Sequence, residues 1–457
     1  MAVWLRPDAR ASPHISLTER QVRRIKSFVD INMDAKVLDV AVEARRDQHE
    51  LFEIGCPIPL GLVPRKMHAW TIRRENHGEP QHAFTKEIVE VPSVGPNDVL
   101  ILVMAAGVNY NGVWAALGQP FSVLDLHDDP YHITGSDAAG IVWAVGTNVK
   151  KWKVGDEVVA HCSQVDGDDE ECNGGDPMLS PSQRIWGYET SHGSFAQFAR
   201  VQSTQLMPRP KHLTWAASAC YTLTLATAYR MLFGHKPHVL SPGQSVLVWG
   251  AAGGLGSMAI QLAALAGARP VAVVSDDSKI EFVKRLGAVG VINRSSFSCW
   301  GAPPSVDARD EYAAYVDGVK KFGKAIWDAL GEKRDVDMVF EHPGRNTFAP
   351  SCYVVKRGGM VVFCAATSGY DLTCDARYVW MRQKRIQGSH FASLKEAAQA
   401  NRLVMNGKID PCLSEVFPWN RLPDAHAKIR ANQHLPGNMA VLVQASSSDD
   451  LAAARRH

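Results

Sequence analysis

The sequence predicts an α/β protein of two domains, a doubly wound parallel sheet together with a compact β-rich unit, and three observations carry that expectation. At 457 residues the chain is about three times a typical domain length of ~150 and has room for two cores. Between residues 67 and 162 it breaks into short β-like runs separated by Gly, Pro and Asp, the pattern of a barrel-like β unit. From residue 245 strands alternate with apolar helices, which demands a parallel sheet with crossover connections.

The elements follow in order. Residues 1–65 read as an N-terminal helical arm. Ser16 and Glu19 form a capping box, and Leu17, Val22, Ile25 and Val29 mark an apolar face opposite Arg20, Arg23 and Arg24. Such an arm docks on the body or on a neighbouring subunit; an organellar transit segment, interrupted by Asp8 and Glu19, and a start at Met33 are the other readings. The runs HAWTIRR, EIVEVP, DVLILVMAAGVNY, GIVWAVG and DEVVAHC then build the β-rich catalytic domain over residues 66–230, completed by 388–457 with its last strand at MAVLVQ. Residues 231–387 hold VLVWG, AAGGLGSMAIQLAALAG, PVAVVS, SKIEFVKRLGA and VGVIN as strand, helix, strand, helix, strand, with VDMVFEHPG and GGMVVFCAA as two more strands.

Composition excludes several classes. With 46% hydrophobic and 21% charged residues the chain is an ordinary globular one, neither disordered nor fibrous. Forty-nine basic against 47 acidic residues give +2, without the basic footprint of a nucleic-acid binder. Nine scattered cysteines, none in CxxC spacing, read as reduced cytosolic thiols with neither a disulfide frame nor a zinc ribbon. The first twenty residues contain no apolar signal core, so a cytoplasmic protein is expected. The uncharged stretch 245–268 is long enough to raise a membrane question, but five glycines, Ser257 and Gln261 make it a strand, a turn and a buried helix.

Gly250, Gly253 and Gly256, with Gly254 and Leu255 between them, follow a strand and open a helix as G-x-x-G-x-x-G. Glycines let the chain turn sharply and bring backbone N–H groups and a helix N-terminus against a pyrophosphate, so this is a Rossmann dinucleotide site. At the end of the next strand Asp276 would favour NAD by accepting from the ribose hydroxyls. Ser275 directly after the strand, with Lys279 and Arg294 placed to meet a 2′-phosphate, favours NADPH instead. His342, at the end of a parallel strand, is assigned to the nicotinamide side.

A β-rich domain split around a Rossmann domain resembles the medium-chain dehydrogenase/reductase superfamily, whose β part is GroES-like. The zinc enzymes of that group carry a Cys, a GHE-type motif and a four-Cys lobe; here the matching stretches read GVNYNGVW and GSDAAG and the lobe is missing. His161, Cys162 and Cys172 make only a partial, irregular ligand set, so no metal is expected. Within the zinc-free branch AAGVNYNGVW, PYHITGSDAAG, DDEECNGGDPM, QRIWGYETSHGSFAQF, ACYTLTLATAYRMLFG, FEHPG and DARYVWMRQKRIQGSHFA are similar to the crotonyl-CoA carboxylase/reductases, over about residues 49–445. One departure is His192 in SHG, where an acid is expected in close relatives.

That resemblance implies hydride transfer from NADPH to the β-carbon of crotonyl-CoA and attack of the enolate α-carbon on CO2, giving ethylmalonyl-CoA. It also implies a homotetramer and no nucleic-acid or membrane partner. The family's CO2-holding residues fall on Asn111, Tyr188, Glu189 and His390. Asn111 and His390 can donate to CO2 oxygens, whereas an ionised Glu189 can only orient a bridging water, with Tyr188 as a wall. Arg377, Tyr378 and Lys384 are candidates for the CoA phosphates and adenine, or simply a solvated basic helix face. A plain enoyl-thioester or quinone reductase and a non-catalytic NADPH binder are the rival functions.

Overall fold

The computed structural model describes residues 50–448 and 450. The capping box at Ser16 and the helix expected behind it fall outside the described residues. Residues 50–65 carry neither helix nor strand and lie along the β-rich unit. There the Leu62 carbonyl accepts from Trp143 Nε1 at 2.7 Å and the Phe52 carbonyl from Gln197 Nε2 at 3.1 Å.

The chain first forms β1 (Lys66–Ile72), β2 (Phe84–Glu90), β3 (Asp98–Val108), α1 (Tyr110–Leu117), β4 (Ala138–Val145), β5 (Glu157–Ala160), β6 (Phe198–Gln202) and β7 (Leu206–Pro208). Helix α2 (Thr222–Phe233) leads to β8 (Ser245–Val248), α3 (Gly254–Leu265), β9 (Arg269–Val274), β10 (Gly290–Asn293), α4 (Arg309–Leu330), β11 (Val336–Glu341), β12 (Val355–Phe363) and β13 (Arg385–Gly388). Last come α5 (Leu394–Met405), β14 (Leu413–Phe417), α6 (Leu422–Arg430) and β15 (Asn438–Leu442).

Strands β14-β15-β3-β4-β5-β7 make one sheet, with β6 also paired to β3, so the chain returns after residue 388 to the sheet it began. Its centre, β3, reads DVLILVMAAGV and is buried along nearly its whole length, which explains an apolar run without alternation. The second sheet runs β10-β9-β8-β11-β12-β13, all parallel. In chain order this is 3-2-1-4-5-6, and the order reverses between β8 and β11, where ligands of such sheets bind.

Two elements of this second unit are not among the expected ones. Strand β13 alternates half-buried with exposed positions and carries Arg385 and Gln387, so its sequence lacks the apolar run of a buried parallel strand. Helix α4 presents Val319, Phe322, Gly323, Ile326 and Leu330 on one face against a mixed, charged opposite face and stops at left-handed Gly331. Phe322 enters an aromatic cluster with Trp249, Phe297 and Trp300, at ring separations of 5.3–5.5 Å from each. Helix α5 begins on a capping box in which Ser393 and Glu396 exchange hydrogen bonds. All nine cysteines are free thiols.

Candidate active site

A cavity of about 820 Å³ runs along the cleft between the two sheets, and the strand order sorts its lining. Ser275 and Lys279 follow β9 and Arg294 follows β10, on one side of the reversal point; His342 follows β11 and His390 follows β13, on the other. Asn111, Tyr188 and Glu189 face His390 from the β-rich unit. All of these residues line the one cavity.

At its centre the turn after β8 is built on glycine. Gly250 has φ +52, and a Cβ there would lie 2.6 Å from His342 Nε2; at Gly256 it would lie 2.3 Å from the Gly250 carbonyl. Helix α3 starts at Gly254 with no side-chain cap, so its first N–H groups, including that of Leu255, remain for an anionic ligand. Gly253 N–H closes the turn onto Gly250 O at 2.9 Å. Gly253 and Gly254 line the cavity, while Gly256 lies behind it and permits the helix to approach the strand. This donor set fits the pyrophosphate of a dinucleotide.

Beyond the turn, Asp276 does not line the cavity. Its carboxylate takes hydrogen bonds from Ser278 and Ser275 and an ion pair from Lys279 at 3.2 Å, and these hold it down at about 2. Lys279 also donates to Ser275 Oγ at 2.7 Å and keeps its place in the lining beside Arg294. Two cations in the lining, with the Asp276 carboxylate outside it, suit a 2′-phosphate better than a bare ribose.

On the reactive side, Asn111 lies in the first turn of α1. Its amide Nδ2 is buried and has no hydrogen-bond partner. The turn is set by Asn109, whose Nδ2 donates to Asp137 at 2.9 Å, and Asp137 also accepts from Thr222 Oγ1 and from Leu223 N–H at 2.8 Å. Complete burial pushes the Asp137 carboxyl up to about 7 against those three bonds. Tyr188 and Glu189 follow left-handed Gly187, where a Cβ would meet Gly135 O at 2.1 Å. Glu189 Oε2 accepts from the Ile185 N–H at 2.7 Å, which fixes the carboxylate, and the Tyr188 ring lies 6.3 Å from that of Phe121. Burial raises the Tyr188 phenol, keeping it neutral.

His390 precedes Phe391, whose φ of +42 is uncommon for a non-glycine residue. Neighbouring bonds hold the turn: Ser389 N–H donates to Phe363 O at 2.9 Å, and Ala392 O accepts from His161 Nε2 at 2.9 Å and Ser163 Oγ at 2.8 Å. The ring is open to the cavity, yet the surrounding walls depress its pKa by desolvation, so it is neutral at pH 7. His342 is likewise neutral, lowered to about 4 by burial, and its Nε2 bonds Trp249 O at 3.0 Å.

Three expected CoA contacts do not reach this cavity. Lys384 is buried and its ammonium donates to the carbonyls of Cys352 at 2.7 Å and Tyr353 at 2.9 Å, which occupies the donors that a CoA phosphate would need. Arg377 sits on an exposed short helix, paired with Asp375 at 2.6 Å, and the Tyr378 ring packs edge-on against Tyr353 at 4.7 Å. His192 is held locally by Ser191 Oγ at 2.8 Å. Sequence reasoning missed the Asn109–Asp137 brace, Arg230 and His434. The signal for the first two was a charged residue inside an apolar run, in GSDAAG and TLATAYRMLF. Arg230 is buried and ties Asp176 at 2.5 Å to Glu396 at 3.1 Å. His161 Nε2 is held by the Ala392 carbonyl, and Asp137 accepts from Thr222, Leu223 and Asn109. Elsewhere among the described residues Asp166, Asp169 and Cys172 come together on the surface, with Asp169 bonded to Ser180 at 2.5 Å.

Residues 95–211 match the family described as alcohol dehydrogenase GroES-like domain, and residues 254–406 the one described as zinc-binding dehydrogenase. A crotonyl-CoA carboxylase/reductase of Cereibacter sphaeroides is 66% identical over 87% of this chain and 92% of its own. A crotonyl-CoA reductase of Streptomyces collinus is 43% identical over 80% and 82%. Among solved structures, a crotonyl-CoA carboxylase/reductase at 62% identity covers 89% of this chain and 96% of that one with a TM-score of 0.85. A 2-octenoyl-CoA carboxylase reductase, solved with NADP and 2-octenoyl-CoA, shares 37% identity over 86% and 93% with a TM-score of 0.78.

Proposed function

Because this chain belongs to the crotonyl-CoA carboxylase/reductase family, we propose that it reduces crotonyl-CoA with NADPH and carboxylates the resulting enolate with CO2 to give ethylmalonyl-CoA. The observation that carries this reading is the buried, unpartnered amide of Asn111 on a wall shared with Tyr188, Glu189 and His390. The cofactor supplies the hydride; the rest falls to side chains. The enolate α-carbon must meet a small uncharged gas before it meets a proton. Asn111 Nδ2 and the His390 N–H act as donors to the CO2 oxygens. Glu189, fixed on Ile185, orients a bridging water, and Tyr188 with Phe121 screens the site from solvent. A neutral imidazole suits this place, since an imidazolium would offer the carbanion a proton.

The 2′-phosphate falls to Ser275, Lys279 and Arg294, the pyrophosphate to Gly250, Gly253, Gly254 and Leu255, and the nicotinamide to the neighbourhood of His342. Arg377, with its guanidinium 5.7 Å from the Tyr312 ring, and Tyr378 take the outer end of CoA. Subunit association uses the edge of β13, which is unpaired among the described residues, beside exposed Trp380, Met381 and Ile386.

The deciding experiment incubates the purified protein with crotonyl-CoA, NADPH and bicarbonate plus carbonic anhydrase. Ethylmalonyl-CoA is expected; butyryl-CoA alone, indifferent to CO2, would make the protein a plain reductase. Asn111→Leu and His390→Asn should each move product toward butyryl-CoA by about tenfold or more, the loss of one donor worth about 1.4 kcal/mol, while NADPH oxidation persists. Loss of oxidation in both variants defeats the assigned roles.

A further inference from the structure

The part of the cavity given above to the 2′-phosphate has a wall that comes from the other half of the molecule. The loop 431–437, between α6 and β15, crosses from the β-rich unit and is fastened just after His434. Leu435 N–H donates to Glu415 Oε2 at 3.1 Å, and Gly437 N–H donates to Ala252 O at 2.9 Å, inside the glycine turn. A backbone bridge also joins Gly437 to Gly253. Directly before these anchors the His434 ring lines the cavity together with Ser275, Lys279 and Arg294. Its Nδ1 is buried and has no hydrogen-bond partner among the described residues, so in this polar lining the atom is suited to bond a ligand.

We infer that His434 closes the 2′-phosphate site of NADPH from across the cleft, opposite Lys279 and Arg294, and thereby reads the difference between NADPH and NADH. The inference rests on the NADPH assignment above and adds a residue from the other domain to it. The groups facing the ring are Lys279 and Lys428, which disfavour its charged form together with burial, and Glu415, which favours it. Without ligand the ring is therefore neutral. A phosphomonoester bearing a charge of about −1.5 to −2 at pH 7 reverses that balance, accepts the ring N–H and draws a second proton onto the imidazole.

Cofactor affinity of the intact enzyme, read by NADPH and NADH fluorescence titration between about pH 6 and 8.5, tests this. His434→Ala should weaken NADPH about tenfold at pH 6.5 and leave NADH unchanged. In the wild type NADPH binding should weaken as pH rises, more steeply than in the variant, because the phosphate's own titration is common to both. His434→Gln, which keeps a donor without a charge, should recover NADPH affinity at pH 8.5 but not at pH 6.5. Equal weakening of both cofactors would reduce His434 to a packing residue, and no change in either would remove it from the site. Lys279→Ala distinguishes the two levels of the argument: if it abolishes discrimination while His434→Ala retains it, the NADPH assignment stands and this inference falls. A wild type that binds both cofactors equally would overturn the assignment itself.

Discussion

His390 and Asp137 show how burial sets chemistry one side chain at a time. Desolvation lowers the imidazole below its ordinary 6.5, so between about pH 7 and 9 its charge state does not change. The ratio of ethylmalonyl-CoA to butyryl-CoA should therefore be level across that range and fall below pH 6.5, where a growing imidazolium fraction protonates the α-carbon. Product analysis by mass spectrometry measures it, and a ratio that rises on acidification would contradict the role of the neutral ring. Asp137 behaves in the opposite sense. Its folded value of about 7 stands above the ordinary 3.8, so the unfolded chain ionises first and this residue's contribution to stability declines as pH rises from about 4 to about 7. Asp137→Asn removes that ionisation. The stability of the wild type relative to this variant should fall across the same window, as urea midpoints at its two ends will show; a constant difference would mean Asp137 stays ionised throughout. Asn111, Tyr188, Glu189 and His390, singled out through the family resemblance of their motifs, come together on one cavity. Asp137 and His434 were not legible in the sequence, since their meaning depends on partners far away in the chain, Thr222 and Leu223 for one and Lys279 for the other.

Among the elements, the turn between β8 and α3 is the least tolerant of change. A methyl at Gly256 would stand 2.3 Å from the Gly250 carbonyl and 2.6 Å from Ala251 Cα, backbone atoms that cannot rotate away. Gly256→Ala should push α3 off the strand and weaken NADPH binding about tenfold or more, with far-ultraviolet circular dichroism unchanged. Unaltered affinity would show that the turn relaxes. Strands β3, β8 and β9 were readable as largely apolar runs, because both faces of each are covered, and β11 is as fully buried although it carries Asp337 and Glu341. Strand β13 was hidden by its charged edge residues, and the cluster RYVWMRQKR, read as one basic helix face, divides into a short helix over Ala376–Trp380 and the approach to that strand. Helix α4 escaped notice because a long amphipathic stretch rich in Lys and Asp has no motif to announce it.

For the whole molecule the split of the β-rich sheet around the parallel one was foreseeable, since the strand at MAVLVQ had no partner in the nucleotide-binding part; in the structure it pairs with β3, where Met439 opposes Val108. Assembly belongs to this scale as well. Ile386 is 40% exposed on the open edge of β13, with Trp380 at 68% and Met381 at 55% beside it, more apolar surface than a solvent-facing edge normally keeps. If the proposed association uses this edge, Ile386→Lys combined with Trp380→Glu should halve the particle mass or more in sedimentation velocity; an unchanged mass would overturn the assignment of this edge. The bridge between Gly253 and Gly437 has a mechanical consequence. A backbone rung stitches the halves together at the pyrophosphate floor, so the two walls are pinned to each other where the dinucleotide phosphates would lie, while Phe121 and Tyr370 line the same cleft without such a rung between them.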